Sequence, residues 1–177
     1  MLILSTIACT KSAKLWLSVL VLLICLVPLK VFGRQPIAKS WPIVRRGALD
    51  TNNVNVTMIQ YLLRSHGYFV PVDGRFGSKT ERQVRRFQYS RKIQATGIVN
   101  APTWKCLIII LHTKTRGEAV KAAQASLQQH TEDLSIDGHF GGHTYQAVRS
   151  FQRNNNLYAD GVIDTATWLR LTDTVPD

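Results

Sequence analysis

Residues 72–88 read VDGRFGSKTERQVRRFQ, and residues 136–152 read IDGHFGGHTYQAVRSFQ. At an offset of 64 residues Asp73 falls on Asp137, Gly74 on Gly138, Phe76 on Phe140 and Gly77 on Gly141. Thr80 meets Thr144, Val84 meets Val148, and Phe87-Gln88 meets Phe151-Gln152. Working outward, Gly97 meets Gly161 and Thr103-Trp104 meets Thr167-Trp168. From Val56/Val120 to Trp104/Trp168 the match needs no gap, and 17 of 49 pairs are identical. A single fixed period of this kind marks a duplicated structural unit.

Each unit reads as three short helices, so the expected fold class is all-α. The first spans about Val54 to His66 with Val56, Ile59 and Leu63 on one face; its copy uses Val120, Ala123 and Leu127. The second is expected to open at Ser78 with Glu81 as a capping box, and it carries Thr80, Val84 and Phe87 at helical spacing. The third starts behind Asn100 or Asp164 as N-cap and buries Trp104 or Trp168. Between the first two helices, Asp-Gly-x-Phe-Gly forms a tight turn whose glycines are expected at positive φ. The limits are a leader at 1–33, a linker at 34–46, repeat 1 at 47–111, a linker at 112–116 and repeat 2 at 117–173. Units of about 55 residues are marginal alone, so the two are expected to pack together.

The leader reading rests on Lys11 and Lys14 before an uncharged run from Leu15 to Val27, with small or β-branched residues before a cut after Gly33. Residues 1–33 are therefore a secretory signal peptide, or a membrane anchor if the hydrophobic helix stays uncleaved. The protein is expected to be exported, or held at the outer face of the membrane if the leader stays in place. Cys9 and Cys25 leave with the leader, and Cys106 alone forms no intrachain disulfide.

The chain carries a formal charge of +11, and its distribution matters more than its total. Residues 34–113 hold 13 basic and 3 acidic side chains, whereas residues 114–177 hold 6 basic and 8 acidic. Lys79, Arg82 and Arg86 share one helix stripe, with Arg75 just before it. Such a stripe attracts polyanions, although a solvated helix face has the same pattern. Export weighs against nucleic acid. Repeat 1 is expected to give most of any salt-sensitive binding.

A search for catalysis finds little. His139 and His143 have the spacing of metal ligands, but repeat 1 has Arg75 and Lys79 in those slots, so no metal and no cofactor are expected. His66 and His130 recur at the end of the first helix, where a half-buried or capping role suits them. Asp73 and Asp137 precede glycine in a turn, where a carboxylate typically bonds nearby amides. Cys106 lies on an apolar helix and reads as core. No nucleophile motif or second carboxylate at fixed distance appears, and the protein is not read as an enzyme.

The two quoted strings, with TGIVNAPTW at 96–104 and DGVIDTATW at 160–168, closely resemble the three-helix bacterial peptidoglycan-binding module. WPIVRRG at 41–47 and TRGEAVKAAQ at 115–124 resemble its lead-in to the first helix. The resemblance runs from about Trp41 to Leu171 and implies peptidoglycan binding without catalysis by the module. Two departures stand out: Thr96 where repeat 2 has Asp160, and Thr131-Glu132 where repeat 1 has Gly67-Tyr68. Resemblance and surface logic together place the ligand beside the turn. The candidate binding residues are Asp73, Gly74, Arg75, Gly77 and Arg82 in repeat 1, and Asp137, Gly138, His139 and Gly141 in repeat 2. The glycines would let a ligand reach backbone amides. Phe76 and Phe140 read as core anchors rather than stacking platforms. The expected partner is peptidoglycan or an anionic cell-wall polymer, with membrane contact only through residues 1–33. The alternative is an accessory, targeting or inhibitory subunit of a separate wall hydrolase or protease, since the fold is similar to the pro-segments of some secreted metalloproteases; a hydrolase fragment is a third reading.

Overall fold

The computed structural model describes residues 40–49, 54–131 and 133–173. The expected leader, with Cys9 and Cys25, lies outside the described residues. Among the described residues no helix is long and apolar enough to cross a membrane.

Among the described residues six helices follow one another: α1 (Asn55–Ser65), α2 (Ser78–Ser90), α3 (Ala101–Leu107), α4 (Glu118–Leu127), α5 (Gly142–Asn154) and α6 (Thr165–Leu171). Three belong to each repeat, as the pattern predicts. Each unit is built on one buried tryptophan and two phenylalanines: Trp104, Phe76 and Phe87, then Trp168, Phe140 and Phe151. Burying a ring of this size is worth about 4–6 kcal/mol of transfer free energy. Each indole N–H also donates to a lead-in carbonyl, Trp104 to Pro42 at 2.9 Å and Trp168 to Ile109 at 2.7 Å. Trp41 stacks on Trp104 with ring centroids 5.6 Å apart.

The stretches read as linkers are tied to the helices. Val44 pairs with Val99 and Leu111 with Ile163, while Leu49 pairs with Arg75 and Arg116 with His139. Trp41, Val44 and Leu111 are buried. The described part of 34–46 and all of 112–116 therefore act as straps that close each unit, not as free connectors. The reason is the indole N–H, which must find an acceptor once its ring is buried.

Asn100 and Asp164 cap α3 and α6, accepting from the amides of Thr103 at 3.4 Å and Thr167 at 2.8 Å. The capping box at Ser78 does not form. Gly77 is the N-cap, its carbonyl taking the Glu81 amide at 3.0 Å, so Ser78 is already helical. The Glu81 carboxylate turns instead to Arg85 at 2.9 Å and Arg46 at 3.8 Å. The departure at 131 has a local consequence. In repeat 1 Gly67 takes φ +82° just past α1, and the Tyr68 amide closes on Leu63 O at 2.9 Å. This closure needs a left-handed residue, which threonine resists. Accordingly α4 stops at Leu127, whereas α1 runs to Ser65, the counterpart of 129.

The repeats meet through α1 and α4, the most extensively packed helix pair. Both helices are buried on two sides. Val56, Ile59 and Leu63 face their own unit, and Met58 and Leu62 form a second fully buried face. At the offset of 64, α4 carries Ala122 and Ser126 where α1 has Met58 and Leu62. Bulk on one helix is matched by small residues on the other, which lets the two axes approach closely. Arg64 adds an ion pair to Glu118 at 3.2 Å, and Asn55 Nδ2 donates to Thr172 O at 3.0 Å.

Candidate functional site

The Asp-Gly-x-Phe-Gly corner is held from beneath by one glutamine in each repeat. Gln60 on α1 is fully buried. Its Nε2 donates to Asp73 Oδ1 at 2.8 Å and to Arg75 O at 3.1 Å. Its Oε1 accepts from the amides of Asp73 at 3.0 Å and Gly74 at 3.1 Å. Gln124 on α4 repeats this, reaching Asp137 Oδ1 at 2.8 Å and His139 O at 3.2 Å while accepting from the Gly138 amide at 2.8 Å. A buried amide side chain that makes all these bonds leaves the turn one conformation. Gly74 at φ +67° and Gly138 at φ +75° supply the left-handed step.

Gly77 and Gly141 do not share that role. Their φ values of −86° and −91° are open to any residue, because both serve as N-caps, of α2 and α5. The amides of these glycines are themselves engaged: Gly74 and Gly138 donate to the glutamines, and Gly77 and Gly141 donate to Arg75 O and His139 O at 2.9 Å.

The corner carboxylates are ionised fixtures. Gln60 holds the Asp73 carboxyl below its ordinary range, aided by the Arg75 amide and charge. The His139 amide does the same for Asp137, with Gln124 second. Each Oδ1 accepts from the amide two residues on, at 3.0 Å from Arg75 and 2.8 Å from His139. An acid kept ionised is a poor proton donor near neutrality.

A second glutamine pair pins the turn before α3 and α6. Gln88 binds Ile98 O, Thr103 Oγ1 and the Gly97 amide, and Gln152 binds Val162 O, Thr167 Oγ1 and the Gly161 amide. Thr96 stands in for Asp160 here. Its hydroxyl accepts the Ile98 amide at 3.1 Å, as Asp160 accepts the Val162 amide at 2.8 Å. The departure at 96 thus preserves the turn.

Around the corner of repeat 2 lies a groove of about 400 Å³ whose lining includes Asp133, Leu134, Asp137, His139, Gly141 and His143. Gln146 and Ser150 continue it along α5. His139 is half-buried and His143 exposed. Among the described residues no group of three or more His, Cys, Asp or Glu side chains is placed to hold a metal. In repeat 1 Arg75 and Arg82 are exposed beside the equivalent corner. The structure thus places Asp137, Gly138, His139 and Gly141 in one turn and Asp73, Gly74, Arg75 and Gly77 in the other, with Arg82 further along α2. Phe76 and Phe140 are buried, as expected of anchors.

His66 and His130 close the far end of their helices. His66 Nε2 lies 2.9 Å from Leu107 O and Nδ1 lies 2.9 Å from an Arg91 nitrogen. Burial, with the Arg91 charge, lowers the His66 pKa against the pull of the Leu107 carbonyl. His130 packs on Phe151 and is lowered by burial. Cys106 is a half-buried free thiol against the core.

The glutamines at 60 and 124 were missed as site-forming residues in the sequence reading. Their recurrence at the offset of 64, inside otherwise apolar helix faces, was the available signal.

The family described as putative peptidoglycan binding domain matches the chain twice, over residues 52–107 and 116–171. Among characterised relatives, the N-acetylmuramoyl-L-alanine amidase CwlM of Mycobacterium tuberculosis is 30% identical over 105 residues, 52% of this chain and 26% of that protein. The uncharacterized protein FadG of Bacillus subtilis is 32% identical over 68 residues, 38% of this chain and 12% of its own length. This chain thus spans under half of those relatives. Among solved structures, a peptidoglycan-binding protein of Clostridioides difficile in complex with glutamine hydroxamate is 43% identical. That match covers 37% of this chain and 43% of that one, with a TM-score of 0.35. The SleB N-terminal domain is 32% identical and covers 40% of this chain and 93% of that one, also at 0.35.

Proposed function

The chain belongs to the putative peptidoglycan-binding domain family through both of its repeats, and on that premise we propose that it is an exported, non-catalytic protein that attaches to the bacterial cell wall. The observation that carries the reading is the corner itself. Two copies of one glutamine-braced turn lie beside the second helix, with Asp73, Arg75 and Asp137 exposed and His139 half-buried, rigid before any ligand arrives. Preorganisation of this kind limits the ordering cost of binding.

In this reading the ligand is peptidoglycan, lying along the groove of repeat 2 and against the Asp73–Gly77 corner of repeat 1. His139 and Arg75 donate to its carbonyls and carboxylates. Asp73, Asp137, Gly74 and Gly138 set the shape of the floor, and Gly77 and Gly141 open the second helix toward it. The bonding of the corner carboxylates to backbone amides supports the non-catalytic reading.

The test is retention of the full chain on purified sacculi freed of nucleic acid. Wild type should be retained, and His139→Ala with Arg75→Ala should reduce retention about tenfold, the loss of two solvent-exposed hydrogen bonds of roughly 0.7 kcal/mol each. Recovery only in the presence of a partner hydrolase or protease would favour the accessory-subunit reading. Release of dye from labelled wall by the protein alone would overturn the non-catalytic one.

A further inference from the structure

The surface that borders the groove in repeat 2 has different chemistry in repeat 1. On α5 that surface presents His143, Gln146 and Ser150. At the offset of 64 the same places on α2 hold Lys79, Arg82 and Arg86. All three cations are exposed. The ion pairs among the described residues engage Arg46, Arg64, Arg85, Lys121 and Arg170, and none engages these three. Glu81, the acidic residue of α2, is turned away to Arg85 and Arg46.

One turn beyond Arg86 the stripe ends in a shallow recess between Tyr68, Arg85, Arg86 and Tyr89. Tyr68 is a fixed wall, its hydroxyl donating to Ser90 Oγ at 2.7 Å and its ring set edge-on to Phe87. Tyr89 is 81% exposed, a large ring left in water. Arg85 is also fixed, with Nη1 donating to Ala95 O at 2.8 Å.

We propose that the Lys79–Arg82–Arg86 face, with the recess at its end, binds a polyol phosphate polymer of the wall, while repeat 2 takes the glycan or peptide. The inference rests on the wall-attachment reading above. The cations rise along the helix by about 10 Å in steps of roughly one turn. That spacing suits phosphates joined through short polyol units. Guanidinium forks pair with phosphate oxygens, and the tyrosine rings pack on the carbon chain between them. Nucleic acid carries the same phosphates, but its bases call for a series of stacking rings, and this face offers Tyr68 and Tyr89 at one end and no ring along the cations.

The experiment uses the full chain, K79Q/R86Q, and a charge-matched control, R45Q/K105Q, with helical circular dichroism to confirm folding. Glutamine is a good helix former at such exposed positions. Affinity is measured for poly(glycerol phosphate), and retention for sacculi with and without their phosphate polymers. The stripe variant should lose roughly ten- to a hundredfold in polymer affinity at about 50 mM salt, and its log–log salt slope should flatten by about two. Its retention on stripped sacculi should equal wild type, and the control should bind polymer within about threefold of wild type. Equal losses in the two variants, or no loss in either, would overturn the inference. So would tighter binding to an RNA homopolymer or to phosphatidylglycerol vesicles at matched phosphate. If wild type bound polymer with the stripe dependence stated but ignored stripped sacculi, this inference would stand and the glycan reading would fall.

Discussion

Repeat 1 and repeat 2 agree at the buried side chains that hold their turns and part company on the surface beside them. Gln60 and Gln124 hold the same turn, Gln88 and Gln152 hold the next, and Trp104 and Trp168 each tether a strap. Beside the turn, however, Lys79, Arg82 and Arg86 stand where His143, Gln146 and Ser150 stand in the other copy. The difference teaches that the bonding pattern fixes the corner while leaving its border free to diverge. A buried amide deprived of its partner is costly, whereas an exposed side chain can change at little cost.

The largest effects should come from the tethers. Trp104→Ala and Trp168→Ala should each cost about 3–5 kcal/mol in urea unfolding. Trp104→Ala should cost about 0.5–1.5 kcal/mol more, because Trp41 loses its stacking partner. Equal losses would break the idea that the first strap is the better anchored. Next comes the seam between the units. Leu62→Ala should cost about 2–5 kcal/mol by opening a cavity, and Ala122→Leu about 1–3 kcal/mol by overfilling the face. A single cooperative transition in both variants would sharpen the view that the repeats fold together.

Removing a glutamine brace should do comparable damage in either copy. Gln60→Leu and Gln124→Leu should each cost about 1–3 kcal/mol, and should abolish hydrogen-exchange protection of the Gly74 or Gly138 amide, respectively. A marked asymmetry between the two would show that the corners are not equivalent.

The smallest effect concerns protons. The folded state lowers the pKa of His66 and His130 from 6.5, so it favours neutral imidazole. Their contribution is complete above about 6.5 and is lost as pH falls through the folded values. Asp73 and Asp137 are lowered from 3.8 and add a second loss at more acidic pH. Arg91→Gln should raise the His66 titration point in proton NMR and leave His130 unmoved, since Arg91 acts on His66.

Much of this architecture was legible because duplication supplies its own control. Val84, Phe87 and Trp104 declared the core by recurring at helical spacing, and Asn100 and Asp164 declared their helix starts. The pattern was weaker where backbone geometry decides. Ser78 and Glu81 have the right spacing for a capping box, but the turn ends one residue earlier, at Gly77. Gly77 and Gly141 looked like Gly74 and Gly138 in sequence, although only the latter need positive φ. At the site, composition pointed to Arg75, Arg82 and His139 as exposed donors, but pairwise spacing gave no hint that the glycine amides were already engaged. Met58 and Leu62 escaped notice as a second face because α1 meets its twin only in three dimensions.

That second face ties the two repeats into one body. Met58 and Leu62 are fully buried on α1, and α4 carries Ala122 and Ser126 at the matching positions, so the seam joins unlike surfaces rather than copies of one. On the wall-attachment reading, the two corners are thereby presented at one fixed separation, and the second contact with the wall becomes intramolecular once the first is made.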